Sequence, residues 1–192
     1  MTVCLLLAAG NSSRMGQPKM LLDFKGKTFL QHIIDEVKTL RGASLLVVTG
    51  CYHDMLKPVL ESQQIPFIKN TLWQEGMGSS IREGIKRLQQ HNPDAGNVIV
   101  LVCDQPHISA AVLQQMINAK QTTGKGIVAC SYDGTTGTPV LFDKKYFSQL
   151  SLLQGASGAK KMIQQFNDDV DTINFPEGAI DIDTPEDYNK LR

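Results

Sequence analysis

The stretch Val98-Ile99-Val100-Leu101-Val102-Cys103-Asp104-Gln105-Pro106 decides how this sequence folds. Its first six residues are apolar without alternation, as expected of a central strand covered on both faces. The run ends in a carboxylate followed closely by a chain-reversing proline, which places Asp104 at the sheet edge. Leu5-Leu6-Leu7-Ala8 has the same character. The C-terminal ends of these two strands are predicted to lie side by side or nearly so, and open α/β sheets bind ligands at that edge.

Working outward, strands are predicted at residues 3–8, 44–49, 66–69, 98–103, 126–130, 138–142 and 171–174. Helices are predicted at 28–40, 54–63, 79–90, 110–122, 158–166 and 185–191. Short apolar runs alternating with helical periodicity give an α/β protein, with a mostly parallel sheet and crossover helices on both faces. Neither a repeat nor a compositional break interrupts the 192 residues, of which 42% are hydrophobic, so a single domain over 1–192 with one site is expected.

Lys and Arg number 19 and so do Asp and Glu, which points away from nucleic acid or an acidic membrane as partner. Any phosphate must therefore be held locally. Cys4, Cys51, Cys103 and Cys130 form no CxxC and no Cys/His pair at metal spacing, so they read as free thiols in a reducing compartment. Cys51-Tyr52-His53 and the stretch from Cys103 to His107 are not read as zinc sites. The start, Thr2-Val3-Cys4-Leu5-Leu6-Leu7, lacks the features of a signal peptide. No apolar run is long enough to cross a bilayer. The expected location is cytoplasmic.

The chemistry-bearing residues gather after the strands. Ala8-Ala9-Gly10-Asn11-Ser12-Ser13-Arg14-Met15-Gly16-Gln17-Pro18-Lys19 leaves the first strand through small residues that let backbone N–H groups approach an anion, and Arg14 and Lys19 can neutralise a polyphosphate. It is not a P-loop, because five residues separate Gly10 from Gly16 and no Lys-Ser/Thr pair follows; Gly26-Lys27-Thr28 imitates that ending but has Leu21 where the first glycine belongs. GxGxxG is also missing.

Asp104 is a candidate Mg²⁺ ligand, since Mg²⁺ takes one or two protein carboxylates plus phosphates and water. In Asp181-Ile182-Asp183-Thr184-Pro185-Glu186-Asp187, Asp181 and Asp183 share one face of an extended segment, and either can be the second ligand. Thr184 or Asp183 is read as the cap of the last helix, with Glu186 and Asp187 serving its N-terminus. Residues 70–80 offer an amide, hydroxyls and close backbone approach for a base and ribose, with Trp73 read as a packing anchor. Two lips are expected for a second substrate, at residues 134–139 ahead of a strand and at 155–160 opening a helix.

In order and spacing, Leu7-Ala8-Ala9-Gly10 with Arg14-Met15-Gly16 and Lys19, Glu75-Gly76-Met77 with Ser79-Ser80, Asp104-Gln105-Pro106, Gly137 with Pro139-Val140-Leu141-Phe142, and the tail from Asp181 to Asp187 resemble the molybdenum cofactor nucleotidyltransferases, especially the cytidylyltransferases. The resemblance runs nearly end to end. It implies a Rossmann-like, GT-A-like nucleotidyltransferase fold, a three-layer sandwich around a sheet of about seven strands. It also implies CTP as donor, molybdopterin or the molybdenum cofactor as acceptor, Mg²⁺ as cofactor and a molybdenum hydroxylase as client.

By the same resemblance Arg14, Lys19 and Asp104 are catalytic. Ala8, Ala9, Gly10, Arg14, Lys19, Asn70, Gly76, Ser79 and Ser80 bind the nucleotide. Gly137, Pro139, Ser157 and Gly158 bind the acceptor, and Asp104 and Asp183 hold Mg²⁺. An ionised acceptor phosphate needs no general base to attack phosphorus, so positioning and charge neutralisation suffice. His32, His53, His91 and His107 are accordingly read as surface or loop residues, His107 close enough to Asp104 to line the pocket.

One departure stands out. Relatives commonly carry Gly-Asp-x-Gly-Ala-Arg/Lys where this chain has Gly155-Ala156-Ser157-Gly158-Ala159-Lys160, which leaves the acceptor open. A same-fold enzyme acting on a sugar phosphate or another phosphorylated alcohol is the first rival. A molybdenum cofactor carrier or insertion chaperone is the second, opposed by the retained cations and acids. A nicotinamide-dependent reductase is opposed by the missing GxGxxG and ribose-binding acid.

Overall fold

The computed structural model describes residues 1–156 and 158–191. In chain order the strands are β1 (Thr2–Ala8), β2 (Asp23–Phe24), β3 (Lys27–Thr28), β4 (Ala43–Thr49), β5 (Phe67–Lys69), β6 (Asn97–Val102), β7 (Ile127–Tyr132), β8 (Thr135–Asp143) and β9 (Val170–Asn174). The α-helices are α1 (Phe29–Lys38), α2 (His53–Ser62), α3 (Met77–His91), α4 (Ala110–Thr123), α5 (Phe147–Leu150), α6 (Ala159–Gln165) and α7 (Pro185–Leu191).

Seven strands form one sheet in the order β5-β4-β1-β6-β8-β7-β9. Its pairs are parallel except where β8 runs antiparallel to both β6 and β7. The expected class and strand number hold. Alternation along β1 sends Cys4, Leu6 and Ala8 into one apolar layer and Val3, Leu5 and Leu7 into the other. The first layer is shared with Leu30 and Ile33 of α1, Leu56 and Leu60 of α2 and Leu113 and Met116 of α4. The second is shared with Ile81 and Ile85 of α3, Phe147 of α5 and Met162 of α6. The result is a three-layer sandwich, in which each fully buried Leu or Ile contributes roughly 1.5–3 kcal/mol.

A third, smaller cluster stands outside the sandwich. It joins Met15, Leu22, Phe24, Phe29 and Ile182, with Tyr188 and Leu191 of α7 packed against it. The final helix is thereby tied to the segment that follows β1.

The structure corrects several boundaries. Lys25 at φ 54° and Gly26 at φ 81° make the tight turn of a hairpin between β2 and β3 that the sequence analysis did not anticipate. Thr28 is the N-cap of α1 rather than its first residue, its hydroxyl accepting from the Gln31 N–H at 3.1 Å. Gly26-Lys27-Thr28 therefore serves a turn and a cap. Asp133 and Gly134, at φ 46° and 69°, turn β7 into β8, so the expected lip at 134–139 is strand from Thr135 onward. The Thr138-Pro139 peptide bond is cis.

Candidate active site

The register of β1 and β6 sets Leu7 against Val102, so the segments that follow the two strands emerge next to each other. They form a cleft of about 410 Å³ whose lining includes residues 7–12, Lys19, Met20, Trp73, Gly76, Met77, Ser80 and residues 102–104.

The loop after β1 is folded by its own polar groups. The Ser12 carbonyl accepts from the Met15 and Gly16 N–H groups at 3.0 and 3.1 Å, and its hydroxyl accepts from the Lys19 N–H at 3.2 Å. Ser12 itself has φ 47°, a conformation that costs a non-glycine residue about 1–2 kcal/mol. On the outer side, the Cys51 N–H donates to the Ala9 carbonyl at 3.1 Å and the Tyr52 hydroxyl to the Asn11 carbonyl at 2.7 Å. The backbone N–H groups of Gly10, Asn11 and Ser12 have no protein partner among the described residues. Such a cradle of donors suits an anion. A Cβ at Gly10 would stand in open space, so packing does not demand this glycine.

At the mouth of the cradle one cation holds two carboxylates. Lys19 Nζ donates to Asp104 Oδ2 at 2.9 Å and to Asp183 Oδ1 at 2.8 Å, residues that lie 85 and 164 positions away in the chain. Arg14 donates to Asp183 Oδ2 at 2.6 Å. Burial pulls the Lys19 pKa down, but the Asp104 charge and the hydrogen bonds to both carboxylates more than offset it, and the pKa lies above its ordinary value. The Lys19 hydrogen bond holds the Asp183 carboxyl below the usual range. Asp181 is pushed up to about 6 by lost solvation and by the charges of Asp104 and Asp183.

The tail reaches this place through fixed contacts. The Ile182 N–H donates to the Asp104 carbonyl at 2.9 Å, and the Ile182 side chain is fully buried in the small cluster with Met15. Asp187 Oδ2 accepts from the N–H groups of Asp183 and Thr184 at 3.3 and 3.0 Å, while the Thr184 hydroxyl caps α7 by accepting from the Asp187 N–H at 3.2 Å. Of the two tail acids, Asp183 faces Lys19. Two carboxylate oxygens within 2.9 Å of a single nitrogen also suit a hard divalent cation. No cluster of three His, Cys, Asp or Glu side chains able to hold a metal occurs among the described residues, so phosphate and water would complete its shell.

The middle loop divides into braces and lining. Asn70, 1% exposed, donates to the Ser79 and Ser80 hydroxyls at 2.8 and 3.0 Å and accepts from the Leu72 N–H at 2.9 Å. Ser79 is fully buried, its hydroxyl within hydrogen-bond distance of the Leu72 and Gly76 carbonyls. Both lie behind the cleft, and Ser80, Gly76 and Met77 line it. Trp73, expected as a packing anchor, lines the cleft as well. His107 turns instead onto Phe24, with ring centroids 6.1 Å apart, and His32 approaches the same ring at 5.2 Å. Neither histidine lines the cleft.

Gly137 and Pro139 lie on β8, whose pairing of Val140 with Val100 carries them toward the end of β6 and the edge that holds Asp104. A side chain at Gly137 would collide with the Tyr132 hydroxyl. Gly158 caps α6 against the sulfur of Met77. Ser157 lies outside the described residues. The sequence analysis missed the braces Cys51 and Tyr52, and also Gln105, whose buried amide donates to the Gly178 carbonyl at 2.8 Å and anchors the turn before the tail acids. Thr49-Gly50 at the end of an apolar run was the available signal for the first pair: Gly50 lies so close to Ala9 that a Cβ there would strike its backbone.

The profile of the MobA-like NTP transferase domain matches residues 4–170. Among curated relatives, the purine catabolism protein PucB of Bacillus subtilis is 26% identical over 97% of this chain and 93% of its own length. The bifunctional protein GlmU of Francisella tularensis is 24% identical over 84% of this chain, which spans only 35% of that protein. Among solved structures, Rv0371c of Mycobacterium tuberculosis superposes with a TM-score of 0.82 at 24% identity, covering 99% of this chain and 96% of its own. A manganese complex of the same protein gives 0.77 at 23% identity over 99% and 97% of the two chains. The molybdopterin-guanine dinucleotide biosynthesis protein A of Archaeoglobus fulgidus gives 0.67 at 16% identity over 100% and 96%. These likenesses establish the α/β nucleotidyltransferase fold.

Proposed function

The chain belongs to the MobA-like NTP transferase domain family, and from that premise we propose that it transfers CMP from CTP to the terminal phosphate of molybdopterin or the molybdenum cofactor, with release of pyrophosphate. The observation that carries this reading is the Lys19 ammonium held between Asp104 and Asp183 beside the unpaired N–H groups of residues 10–12. Those N–H groups bind the triphosphate, and Lys19 and Arg14 neutralise its outer phosphates. Ser80, Gly76 and the backbone around Ala8 and Ala9 enclose the base and ribose, braced from behind by Asn70 and Ser79. Gly137, Pro139, Ser157 and Gly158 border the acceptor.

Asp104 and Asp183 would hold Mg²⁺, which when bound supplies Lewis-acid charge neutralisation at the reacting phosphates. The manganese complex of Rv0371c supports a divalent cation in this fold. Among the described residues no histidine lines the cleft, which suits an acceptor phosphate that is ionised before it attacks. We place the enzyme in the cytoplasm, where Cys4, Cys103 and Cys130 remain buried free thiols, and a molybdenum hydroxylase as the client.

A sugar phosphate is the alternative acceptor, favoured by Ala156 in place of the usual carboxylate. The test is pyrophosphate release with each of the four ribonucleoside triphosphates, Mg²⁺, and either purified molybdopterin or a panel of sugar phosphates. Fastest release with CTP and molybdopterin is expected. Faster release with GTP overturns the donor, and transfer to a sugar phosphate alone overturns the acceptor.

A further inference from the structure

We propose that Arg82 couples the nucleotide loop, residues 72–78, to the loop at residues 153–156, so that a nucleotide in the cleft orders the acceptor side before the acceptor arrives. The inference rests on the nucleotidyltransferase reading and deepens it.

Arg82 lies on α3, with its side chain 13% exposed, and spends its guanidinium on three partners. One terminal nitrogen donates to the Leu153 carbonyl at 3.0 Å, the other to Glu75 Oε2 at 3.0 Å, and Nε to Glu83 Oε1 at 3.2 Å. The planar fork is suited to holding a backbone carbonyl and a carboxylate at fixed angles, which a lysine cannot reproduce. The Glu75 hydrogen bond, more than any other contact, lifts the Arg82 pKa above its ordinary value.

The two loops also touch directly. The Gly78 N–H donates to the Gly155 carbonyl at 3.0 Å, and a Cβ on Gly76 would stand 2.7 Å from that carbonyl oxygen. Gly76 at φ 107° and Gly155 at φ 61° are both in the left-handed region, so neither side of this contact is open to larger residues. The second loop is anchored at its start, where Leu153 is buried at 6% exposure in the apolar layer that also holds Ile81 and Ile85 of α3, while Leu152 beside it is 74% exposed. Gly76 and Met77 line the cleft. A ligand that fixes them fixes Gly155 through one hydrogen bond and Leu153 through Arg82. By linkage, whatever binds against residues 153–156 then favours the nucleotide equally.

The test uses the whole chain. Trp73 is its single tryptophan and lines the cleft, so its fluorescence reports binding of CTP with Mg²⁺. Hydrogen exchange of residues 72–78 and 152–156 is then followed with and without CTP. In the wild type, CTP is expected to slow exchange in both segments, by about tenfold in the second. Arg82→Ala and Arg82→Lys should keep the fluorescence response and the protection of 72–78 while losing the protection of 152–154, since Gly155 keeps its own hydrogen bond from Gly78. Should Arg82→Ala fail to fold, Glu75→Gln cuts the same strap on its exposed side and should halve the logarithmic protection. Undiminished protection of 152–154 in Arg82→Ala, or protection of 152–156 that is absent in the wild type while 72–78 is protected, overturns the coupling alone. If none of the four nucleoside triphosphates changes fluorescence or exchange in the wild type, the nucleotide reading falls and takes this inference with it.

Discussion

The two halves of the sheet meet the same edge in different ways. From β5 through β4 and β1 to β6 the strands are parallel, and the links that leave their C-terminal ends brace one another: Cys51 and Tyr52 hold the carbonyls of Ala9 and Asn11, and Asn70 holds Ser79 and Ser80. From β8 to β9 the edge is formed by the hairpin of β7 and β8 and by glycines set around one ring. Side chains at Gly137 and Gly178 would both strike Tyr132. The first half is a polar cradle whose N–H donors at residues 10–12 have no protein partner among the described residues, which suits the proposed triphosphate. The second is a surface shaped by a tyrosine and the absence of side chains, where an added side chain at either glycine meets the ring.

Asp104 belongs to the first half, and its loss is the largest effect expected. Asp104→Asn keeps the shape and the Ile182 backbone contact but removes the charge that faces Lys19 and that would hold the proposed cation. Transfer should fall about a thousandfold, equivalent to about 4 kcal/mol of transition-state stabilisation. Pyrophosphate release measures it, with the melting temperature as a check on folding. Near-normal turnover in a folded variant would remove Asp104 from the chemistry.

Arg14→Ala sharpens the cradle. Arg14 is 68% exposed and contacts Asp183, so the fold should not depend on it. CTP binding should weaken about tenfold and CMP binding hardly at all, because the guanidinium is assigned to the outer phosphates. Calorimetry with the two nucleotides decides, and equal losses would contradict that assignment.

A pair of glycine substitutions sets the halves directly against each other. Gly10→Val points into open space within the cleft, so it should cost CTP affinity about tenfold while leaving the melting temperature nearly unchanged. Gly137→Val meets the Tyr132 hydroxyl and should destabilise the fold by about 1–3 kcal/mol, with CTP affinity retained. If both lose CTP affinity alike, the division of the edge into nucleotide and acceptor halves is wrong.

The same division marks what was legible in the sequence. Continuous apolar runs announced β1 and β6, and the carboxylate that ends the second run announced Asp104, because burial on both faces leaves no room for polar alternation. The direction of β8 was not read: the Asp133-Gly134 dipeptide favours a two-residue hairpin turn, but the glycines and threonines after it resemble the lip of a loop. Strands of two residues such as β2 and β3 carry no period to read. Asn70 and Ser79 show a different limit: their residue types fit a ligand site, and only the packing reveals that their polar atoms are spent on each other. The meeting of Lys19, Asp104 and Asp183 depends on the small cluster of Met15 and Ile182, a tertiary event that local pattern does not encode.

Asp181 gives the smallest effect and tests the field of the cradle rather than its contacts. Its folded pKa of about 6 lies above the ordinary carboxylate value of 3.8, so the folded protein binds the proton more tightly than the unfolded chain. Between roughly pH 4 and pH 6 the contribution of Asp181 to stability therefore falls as pH rises, and the loss persists at higher pH, opposite in sign to the contribution of carboxylates held low such as Asp169 and Asp183. Because the residue keeps part of its exposure and solvent screens the repulsion, the loss is expected to be on the order of 1 kcal/mol. In metal-free buffer, Asp181→Asn should erase this slope and raise the melting temperature at pH 7.5 by about 2–4 °C. Adding Mg²⁺ should narrow the difference, since a cation on Asp104 and Asp183 cancels much of the repulsion that Asp181 feels. Parallel stability profiles for the two proteins from pH 4 to 8 would show that Asp181 does not share the field of the other two carboxylates.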